Sequence, residues 1–310
     1  MLGYARGPLS QVHSLGVKGS ADVLDALAAE VGAPADLAVA LLAGLDFPDE
    51  EDAYRAEAER RGWAPEVVVG NDTYAVLRAG TERGWGVAVT CGAGLNCVGV
   101  GPDGREVRFP SLGAASGDVM DGAGAVGIAA LGAAVRSEDR RGPRTVLQEV
   151  VPEHFGFATA LELSRAVHSD SVSTRRLREL APVVFALSDS DAVAGSLVDG
   201  VGAEVVANVR AALERLGLGG EEVEVVLGGG LLQSGNERLL SGIKEGLGDS
   251  GAKLVVRVAS SRPIVGAVLT ALDRLGAAPA AHVRARDQLD GATGLLGDVT
   301  GDAPSVGQFP

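Results

Sequence analysis

The sequence predicts an α/β protein built as two lobes. Up to Asn71, apolar runs typical of strands alternate with segments typical of helices, as in an α/β lobe. From Gly86 the pattern of elements changes to three short strands followed by a series of helices. We therefore place the lobe boundary between Asn71 and Gly86. The 310 residues are enough for two lobes. Hydrophobic residues make up 46% of the chain but aromatic residues only 4%, so Val, Leu and Ala must fill the core.

Turn and cap signals divide the first lobe into strands and helices. Gly7 and Pro8 break an initial strand, and Ser20 is a good N-cap for the first helix. Pro48, with acidic residues after it, opens a polar helix. The predicted elements are strand 2–5, helix 21–31, a strand ending within 36–45, helix 48–61 and strand 67–69.

The second lobe is predicted from a hairpin followed by helices and two buried strands. Residues 101–104, with the sequence Gly-Pro-Asp-Gly, form the hairpin turn. The predicted elements are strands 87–90, 96–100 and 105–109, helices 122–135, 158–167, 173–187 and 191–216, strand 222–227, helix 236–247, strand 253–258 and helix 262–275. Residues 277–310 are rich in Ala, Gly, Pro and Asp with little periodicity, so we expect a flexible tail there.

The composition excludes several classes of partner. A formal net charge of −14 disfavours a phosphate-binding face for nucleic acid and any attraction to anionic membranes. No run approaches the roughly 18 apolar residues that span a bilayer. No signal peptide, with a charged segment followed by an apolar one, is visible at the start. The two cysteines, Cys91 and Cys97, allow no wider disulfide framework and fit a reducing compartment. We therefore expect a cytoplasmic protein that binds neither nucleic acid nor membrane.

Two glycine segments follow predicted strands. Gly92-Ala93-Gly94 lets consecutive backbone amides face an anion, although such a segment is also typical of a tight hairpin. Residues 228–230 are three glycines at the end of a buried strand, where a nucleotide base or ribose could lie against the backbone; a strand-to-helix turn is the alternative. Neither segment is a Walker A or G-x-G-x-x-G sequence, so those nucleotide-binding folds are not indicated.

Asp72 is the carboxylate whose position suggests chemistry. It follows a run of valines at a strand end, where it could accept a proton from a substrate hydroxyl; equally, it could cap the helix over 73–80. Asp118, after Gly117, has the same two interpretations. The four histidines are scattered and have no metal-ligand spacing, so we predict no metal site made of protein ligands. The absence of a G-x-S-x-G elbow leaves hydrolysis by a serine triad without support.

Seven segments in a fixed order carry a resemblance to a known family. They are 42–46 (LAGLD), 68–72 (VVGND), 91–97 (CGAGLNC), 113–118 (GAASGD), 141–145 (RGPRT), 228–232 (GGGLL) and 263–267 (PIVGA). Together they resemble the BadF/BadG/BcrA/BcrD-type ATPases over roughly residues 1–276, and in particular the N-acetylglucosamine kinase-like branch. The resemblance implies an actin-like fold of the sugar kinase and Hsp70 ATPase superfamily, in which ribonuclease H-like mixed sheets are flanked by helices.

The resemblance also implies a division of the chain. The N-terminal lobe would comprise residues 1–80 plus 262–276, and the C-terminal lobe residues 81–261, leaving 277–310 as the tail. Two such lobes close over ATP, with Mg²⁺, and a sugar. A homodimer is the expected assembly.

Site residues follow from the same resemblance. Asp72 would be the general base on the sugar hydroxyl, with Asn71 positioning it. His13, Gly113 and Asp118 would contact the sugar. The implied nucleotide-binding residues are Gly92, Ala93, Gly94, Arg144, Thr145, Gly228, Gly229 and Gly230.

The chain departs from the family pattern in ways that leave its activity open. No Asp-Gly-Gly-x-Thr-Lys-Thr-like phosphate loop is present, so we expect the first hairpin of the first lobe to be missing. Ala93 and Leu95 replace two hydroxyl residues of the second phosphate loop, and the sugar-contacting Asn-His pair appears as Val12-His13.

Three functions compete. The first is an ATP-dependent sugar kinase, and the second is a non-catalytic sensor of sugar or nucleotide. The third is a dehydratase activator with an iron–sulfur cluster shared across a dimer. For the third, Cys91 and Cys97 are badly placed, since both lie in the phosphate-loop region.

Overall fold

The computed structural model describes residues 3–32 and 35–295, and its larger sheet has five strands. The strands are β3 (Gly86–Cys91), β4 (Leu95–Val100), β5 (Glu106–Arg108), β6 (Glu222–Gly228) and β7 (Lys253–Val258). Their order is β5-β4-β3-β6-β7. The β3–β4 and β4–β5 pairs are antiparallel, whereas β3–β6 and β6–β7 are parallel. The sheet is therefore mixed, as predicted.

A smaller sheet lies before it in the chain. Strands β1 (Leu37–Leu42) and β2 (Glu66–Asn71) pair in parallel, so both end at the same edge. Helix α2 (Pro48–Arg61) connects them, and helix α1 (Val12–Val31) packs against α2. We call this sheet with α1 and α2 the first lobe, and the five-stranded sheet with its helices the second lobe.

Helices cover both faces of the five-stranded sheet. The helices after β2 are α3 (Asp72–Gly80), α4 (Ala123–Glu138), α5 (Leu147–His154), α6 (Ala160–His168), α7 (Ala181–Leu187), α8 (Ala192–Leu216), α9 (Glu237–Leu247), α10 (Pro263–Arg274) and α11 (Pro279–Leu295). Of these, α10 packs on α3 and β1, and α11 packs on α10. The main core lies between this sheet and the layer that contains α4 and α8. On the opposite face, Val76 and Leu77 of α3 pack against Ala88 and Val226 of the sheet.

Helix α8 is the one helix among the described residues that is long and apolar enough to cross a membrane. Its Val198, Val201, Val205 and Val209 are fully buried in the main core. The apolar composition is thus explained by the position of α8 at the centre of the second lobe.

Helices α3 and α10 approach each other very closely at Gly266. A Cβ atom built on Gly266 would lie 1.8 Å from the carbonyl oxygen of Ala75. The absence of a side chain at this residue lets α10 lie directly on the backbone of α3. The contact with α10 therefore fixes the position of α3, the helix that begins with Asp72.

An apolar groove runs along β1. Its walls come from β1 itself and from helices on either side, including Leu24 and Ala28 of α1 and Ile264 and Ala267 of α10. Within the described residues, β1 has β2 as its neighbour along one side, and the groove lies against this two-stranded sheet.

The strands and most helices agree with the sequence prediction to within a few residues, but four expectations are wrong. Residues 3–5 are not a strand, and residues 1–2 lie outside the described residues. Ser20 is not an N-cap, because α1 begins at Val12 and only kinks at Gly16; the buried Ser20 hydroxyl instead donates to the carbonyl oxygen of Ser10. The predicted helix 173–187 is a 3₁₀ segment (Thr174–Leu180) followed by α7.

The fourth correction concerns the tail. Helix α11 occupies Pro279–Leu295 and packs against α10, with Leu289 only 4% exposed. His282 contacts the Asp273 carboxylate of α10 at 2.8 Å. Arg286 of α11 also donates to the carbonyl oxygen of Ala79 at 2.6 Å. A buried leucine and several polar contacts thus fix this helix, although its sequence has no regular apolar stripe. Residues 296–310 lie outside the described residues.

Candidate active site

The two glycine segments lie side by side. Strands β3 and β6 are parallel neighbours, so the segments that follow them meet at one edge of the sheet, where ligands of α/β proteins usually bind. The Leu231 amide donates to the carbonyl oxygen of Cys91 at 3.0 Å. Gly229 has a φ of +87°, and a Cβ atom on it would lie 2.5 Å from the same oxygen. The close approach of the two backbones therefore requires glycine here.

Helix α4 begins at the first glycine segment. The Ala123 amide donates to the carbonyl oxygen of Gly92 at 2.8 Å, and Gly122 lies against the backbone of Ala93. Gly92-Ala93-Gly94 is also the turn of the β3–β4 hairpin, so the structural and the functional interpretation of this segment are compatible. The Gly92 amide is bonded within the turn, to the carbonyl oxygen of Gly94 at 2.9 Å. The positive end of the α4 dipole beside this turn is suited to a phosphate group.

Asp72 stands at the start of α3, next to the second lobe. The helix is capped by Asn71, whose Oδ1 accepts from the Thr73 amide at 2.9 Å; the alternative in which Asp72 is the cap is therefore wrong. The Thr73 hydroxyl lies 3.0 Å from the hydroxyl of Thr90, near the end of β3. This contact connects the turn that carries Asp72 to the strand that leads into the first glycine segment.

The surroundings of Asp72 favour its protonated form. Burial, and secondarily the negative charge of Asp46, raise the pKa of Asp72 to about 6, although the backbone amides of Asp72 and Thr73 act in the opposite direction. A carboxylate whose pKa lies close to neutral pH is well suited to take and release a proton.

Asp46 joins residues from three parts of the chain. Its Oδ1 accepts from the Nδ2 of Asn71 at 3.0 Å and from the Nδ2 of Asn96 on β4 at 2.9 Å. Its Oδ2 lies 3.7 Å from the Nε2 of His13, which is also 3.6 Å from Glu50. The structure thus brings His13 and Asn71, two residues predicted to form the sugar site, into one cluster with Asp46 and Asn96.

Sequence reasoning assigned no role to Asp46 or Asn96. Both lie inside the segments that carry the family resemblance, and Asp46 follows the end of β1 just as Asn71 ends the neighbouring parallel strand. That shared edge is the signal that could have identified Asp46. The partners are 25 and 50 residues away along the chain, so no local pattern indicates them.

His13, Asp46 and Glu50 present ligand atoms within 4.8 Å of one another. The carboxylate of Glu50 already accepts from the backbone amides of Asp46 at 2.7 Å and of Phe47 at 3.0 Å. We interpret the three side chains as a polar cluster that shapes the loop after β1, and not as a set of metal ligands.

Gly113 and Asp118 belong to one turn just before α4. The carbonyl oxygen of Gly113 accepts from the Asp118 amide at 3.1 Å, and the Ser116 hydroxyl donates to the Asp118 carboxylate at 2.5 Å. Asp121 lies close to Gly113 and precedes Gly122, which contacts the first glycine segment. The turn is thus adjacent to the candidate phosphate site.

Arg144 and Thr145 are not brought to the glycine segments. The Thr145 amide contacts the Ser137 hydroxyl near the far end of α4, about 20 Å along the helix from Ala123. The Thr145 hydroxyl donates to Asp191, the N-cap of α8, at 2.9 Å. At this distance Thr145 does not contact a phosphate held by the glycine segments, and its contacts are explained by helix capping. A role of Arg144 and Thr145 in binding another part of the nucleotide stays a prediction.

The two cysteines are core residues. Cys91 and Cys97 are both fully buried free thiols. Burial, with a smaller contribution from Asp121, raises the pKa of Cys91 to about 12, and burial alone raises the pKa of Cys97. Neither sulfur reaches the surface, where an iron–sulfur cluster shared between two chains would need it.

Comparison with known proteins places the chain in a family. The family model described as "BadF/BadG/BcrA/BcrD ATPase family" matches residues 10–271. An N-acetylmuramic acid/N-acetylglucosamine kinase of Clostridium acetobutylicum is 26% identical over 195 residues, which are 63% of this chain and 63% of that protein. The match therefore covers less than two thirds of the relative's length.

Two solved structures share the fold. A provisionally named N-acetylglucosamine kinase from Chromobacterium violaceum gives a TM-score of 0.63 at 21% identity and covers 84% of this chain and 87% of that chain. A second, from Porphyromonas gingivalis and also provisionally named, gives 0.57 at 15% identity and covers 87% and 89%. At these identities the likeness concerns the fold alone, and it confirms the predicted actin-like α/β arrangement.

Proposed function

The chain belongs to the BadF/BadG/BcrA/BcrD ATPase family, and on this premise we propose that it transfers a phosphoryl group from ATP to a hydroxyl group of N-acetylglucosamine or a closely related amino sugar. The observation that carries the proposal is the place of Asp72. This carboxylate, with its raised pKa, starts the helix that is tied through Thr73 to the strand leading into the first glycine segment. The candidate proton acceptor, Asp72, is therefore close to the glycine segment proposed to bind phosphate.

In the proposed reaction Asp72 acts as general base. The sugar hydroxyl gives its proton to the Asp72 carboxylate while its oxygen bonds to the γ-phosphorus of ATP. The bond from that phosphorus to the bridging oxygen breaks, and ADP leaves with the electron pair. Such a transfer depends mainly on positioning and charge neutralisation, which backbone amides and a helix N-terminus can provide.

The glycine segments fit the nucleotide. Gly229 has no room for a side chain, and Gly230 is exposed beside Gly92, so a flat ligand could approach the backbone of both segments. Mg²⁺ would enter as part of the Mg·ATP substrate and supply positive charge to the phosphates. Neither glycine segment carries a carboxylate, and we assign no protein ligand to this ion.

A coupled assay of ADP release tests the proposal. Purified protein with Mg·ATP should release ADP in the presence of N-acetylglucosamine or N-acetylmuramic acid, and much less with glucose or without sugar. The alternative function, a non-catalytic sensor, predicts that the same sugars raise the melting temperature without ADP release. That pattern would contradict the kinase proposal.

The pH dependence of the reaction should report on Asp72. Because the pKa of Asp72 is raised to about 6, the carboxylate is protonated and inactive below that pH and free to accept a proton above it. We therefore expect kcat/KM for the sugar to rise as the pH passes through about 6 and then to level off. Initial rates between pH 5 and pH 8 would show this limb, and a profile that stays flat down to pH 5 would contradict the assignment.

Two further features of the proposal concern the cell and the assembly. We propose that the protein acts in the cytoplasm, where ATP is available, and that it forms a homodimer. Light scattering on the purified chain would distinguish a mass near 31.3 kDa from twice that value.

A further inference from the structure

We infer that Asp46 is a positioning residue for the proposed transfer: its carboxylate connects Asn71, and with it the helix end that carries Asp72, to Asn96 of the second lobe. The inference rests on the proposed function and adds to it a residue with no assigned role. Asp46 is suited to this task because its side chain is only 9% exposed and lies where the two lobes meet.

The first half of the connection lies within the first lobe. The Nδ2 of Asn71 donates both to Asp46, at 3.0 Å, and to the carbonyl oxygen of Leu45, at 3.1 Å. These two acceptors orient the amide so that its Oδ1 faces the Thr73 amide and caps α3. Asn71 is 3% exposed, and a buried amide that loses an acceptor is costly. Removal of the Asp46 carboxylate should therefore loosen the turn that places Asp72.

The second half crosses between the lobes. Asn96 lies opposite Thr90 in the β3–β4 hairpin, two residues after the first glycine segment. Its Nδ2 donates to the same Asp46 oxygen, Oδ1, that binds Asn71. One carboxylate oxygen thus connects the turn that carries Asp72 to the phosphate-binding hairpin, in addition to the contact between Thr73 and Thr90. Displacement of reacting groups by about 1 Å can lower a rate by about 100-fold.

Charge is the second effect of Asp46. The groups that face it are His13 of α1, Glu50 of α2 and Arg108 of β5, besides the amide of Asn96. Burial raises the pKa of Asp46 itself, while His13, Asn96 and Arg108 act against that rise and Glu50 adds to it. Asp46 is also the one charged group that contributes to the raised pKa of Asp72.

Two substitutions separate positioning from charge. Asp46→Ala removes the acceptor as well as the charge, and we expect kcat to fall by about 10- to 100-fold with little change in the KM for ATP. Asp46→Asn keeps an oxygen that can accept from Asn71 and Asn96 but removes the charge. We expect a smaller loss of kcat. The rise of kcat/KM with pH should move to lower pH, because the negative charge that helps to raise the pKa of Asp72 is gone.

A spectroscopic titration gives a second readout that does not depend on activity. Protein labelled with ¹³C at aspartate carboxyl groups should show Asp72 titrating near pH 6 in the parent chain and at lower pH in Asp46→Asn. Glu51→Gln is the matched control, because Glu51 bonds Arg108 across the two lobes without contacting Asn71 or Asp72. It should leave kcat and the Asp72 midpoint unchanged.

The outcomes distinguish this inference from the proposed function. If the parent chain releases no ADP with any sugar, the kinase proposal fails, while the titration still reports whether Asp46 acts on Asp72. An active parent whose kcat and Asp72 midpoint are unaffected by both Asp46 substitutions would overturn the inference alone. An equal loss in Glu51→Gln would also overturn it, since any contact between the lobes would then suffice.

Discussion

Asp72→Asn is expected to lower kcat by about 10²- to 10⁴-fold, the usual contribution of a general base, while the protein stays folded and still binds ATP. An asparagine has nearly the same shape, but its amide cannot take a proton from the sugar hydroxyl. Sugar-dependent ADP release under saturating conditions measures the loss. Turnover close to that of the parent chain would rule out Asp72 as the base.

The same substitution should make the protein more stable at pH 8. The pKa of Asp72 is raised to about 6 in the folded chain, above its ordinary value near 4, so the fold favours the protonated form. Relative to its value at high pH, the contribution of Asp72 to the free energy of unfolding is most favourable below pH 4. This contribution is lost as the pH rises through 6. A neutral asparagine avoids this loss, and the gain can reach at most about 3 kcal/mol.

Urea denaturation at several pH values would measure that gain. The difference between Asp72→Asn and the parent chain should shrink as the pH falls from 8 towards 5, because the parent then binds its proton. Asp52→Asn, a change at an exposed carboxylate on α2, should shift the free energy of unfolding by no more than about 0.5 kcal/mol. A stability loss in Asp72→Asn at pH 8 would contradict the assigned pKa.

Gly266→Ala is expected to be strongly destabilising. Its new methyl group would lie 1.8 Å from the Ala75 carbonyl oxygen, so α10 would have to move away from α3. Overpacking of this kind typically costs about 1–3 kcal/mol and can cost more when the obstacle is backbone. Because α3 carries Asp72, we also expect kcat to fall. The midpoint of urea denaturation and the sugar-dependent rate measure the two effects.

Gly132→Ala is the matched control for that experiment. Gly132 also lies within a helix, α4, but a Cβ atom on it would meet no heavy atom within 4 Å. Alanine there should stabilise the protein by about 0.5–1 kcal/mol, since it favours the helix. If the two substitutions change stability alike, the close contact between α3 and α10 has no energetic role.

Local sequence signals predicted the parts of the fold that local chemistry decides. The valine run before Gly70 and the apolar run before Gly228 each gave a strand to within a few residues, because buried parallel strands are continuously apolar. Pro48 marked the start of α2 correctly.

Contacts between residues far apart in the chain decide which residue caps a helix, and local sequence does not reveal them. Asn71 and Asp72 are both good helix caps, and the choice of Asn71 depends on acceptors at Leu45 and Asp46. Ser20 has the right chemistry for a cap but is buried against Tyr54. In the candidate site, the ends of strands indicate the glycine segments, Asp72 and, through the edge shared by β1 and β2, Asp46. The contacts of Asp46 with Asn71 and Asn96 could not be predicted, because these partners are 25 and 50 residues away along the chain.

The groove beside β1 has a consequence for the behaviour of the protein in solution. A strand whose side is not fully covered can template pairing with another chain, and association of that kind increases with protein concentration. Leu37, Val39 and Leu41 of β1 line the groove and offer an apolar surface for it. The formal charge of −14 opposes such contacts by repulsion, but at 0.15 M salt that repulsion is screened beyond about 8 Å. Dilute, low-salt buffers should therefore keep the chains apart, and added salt should favour their self-association.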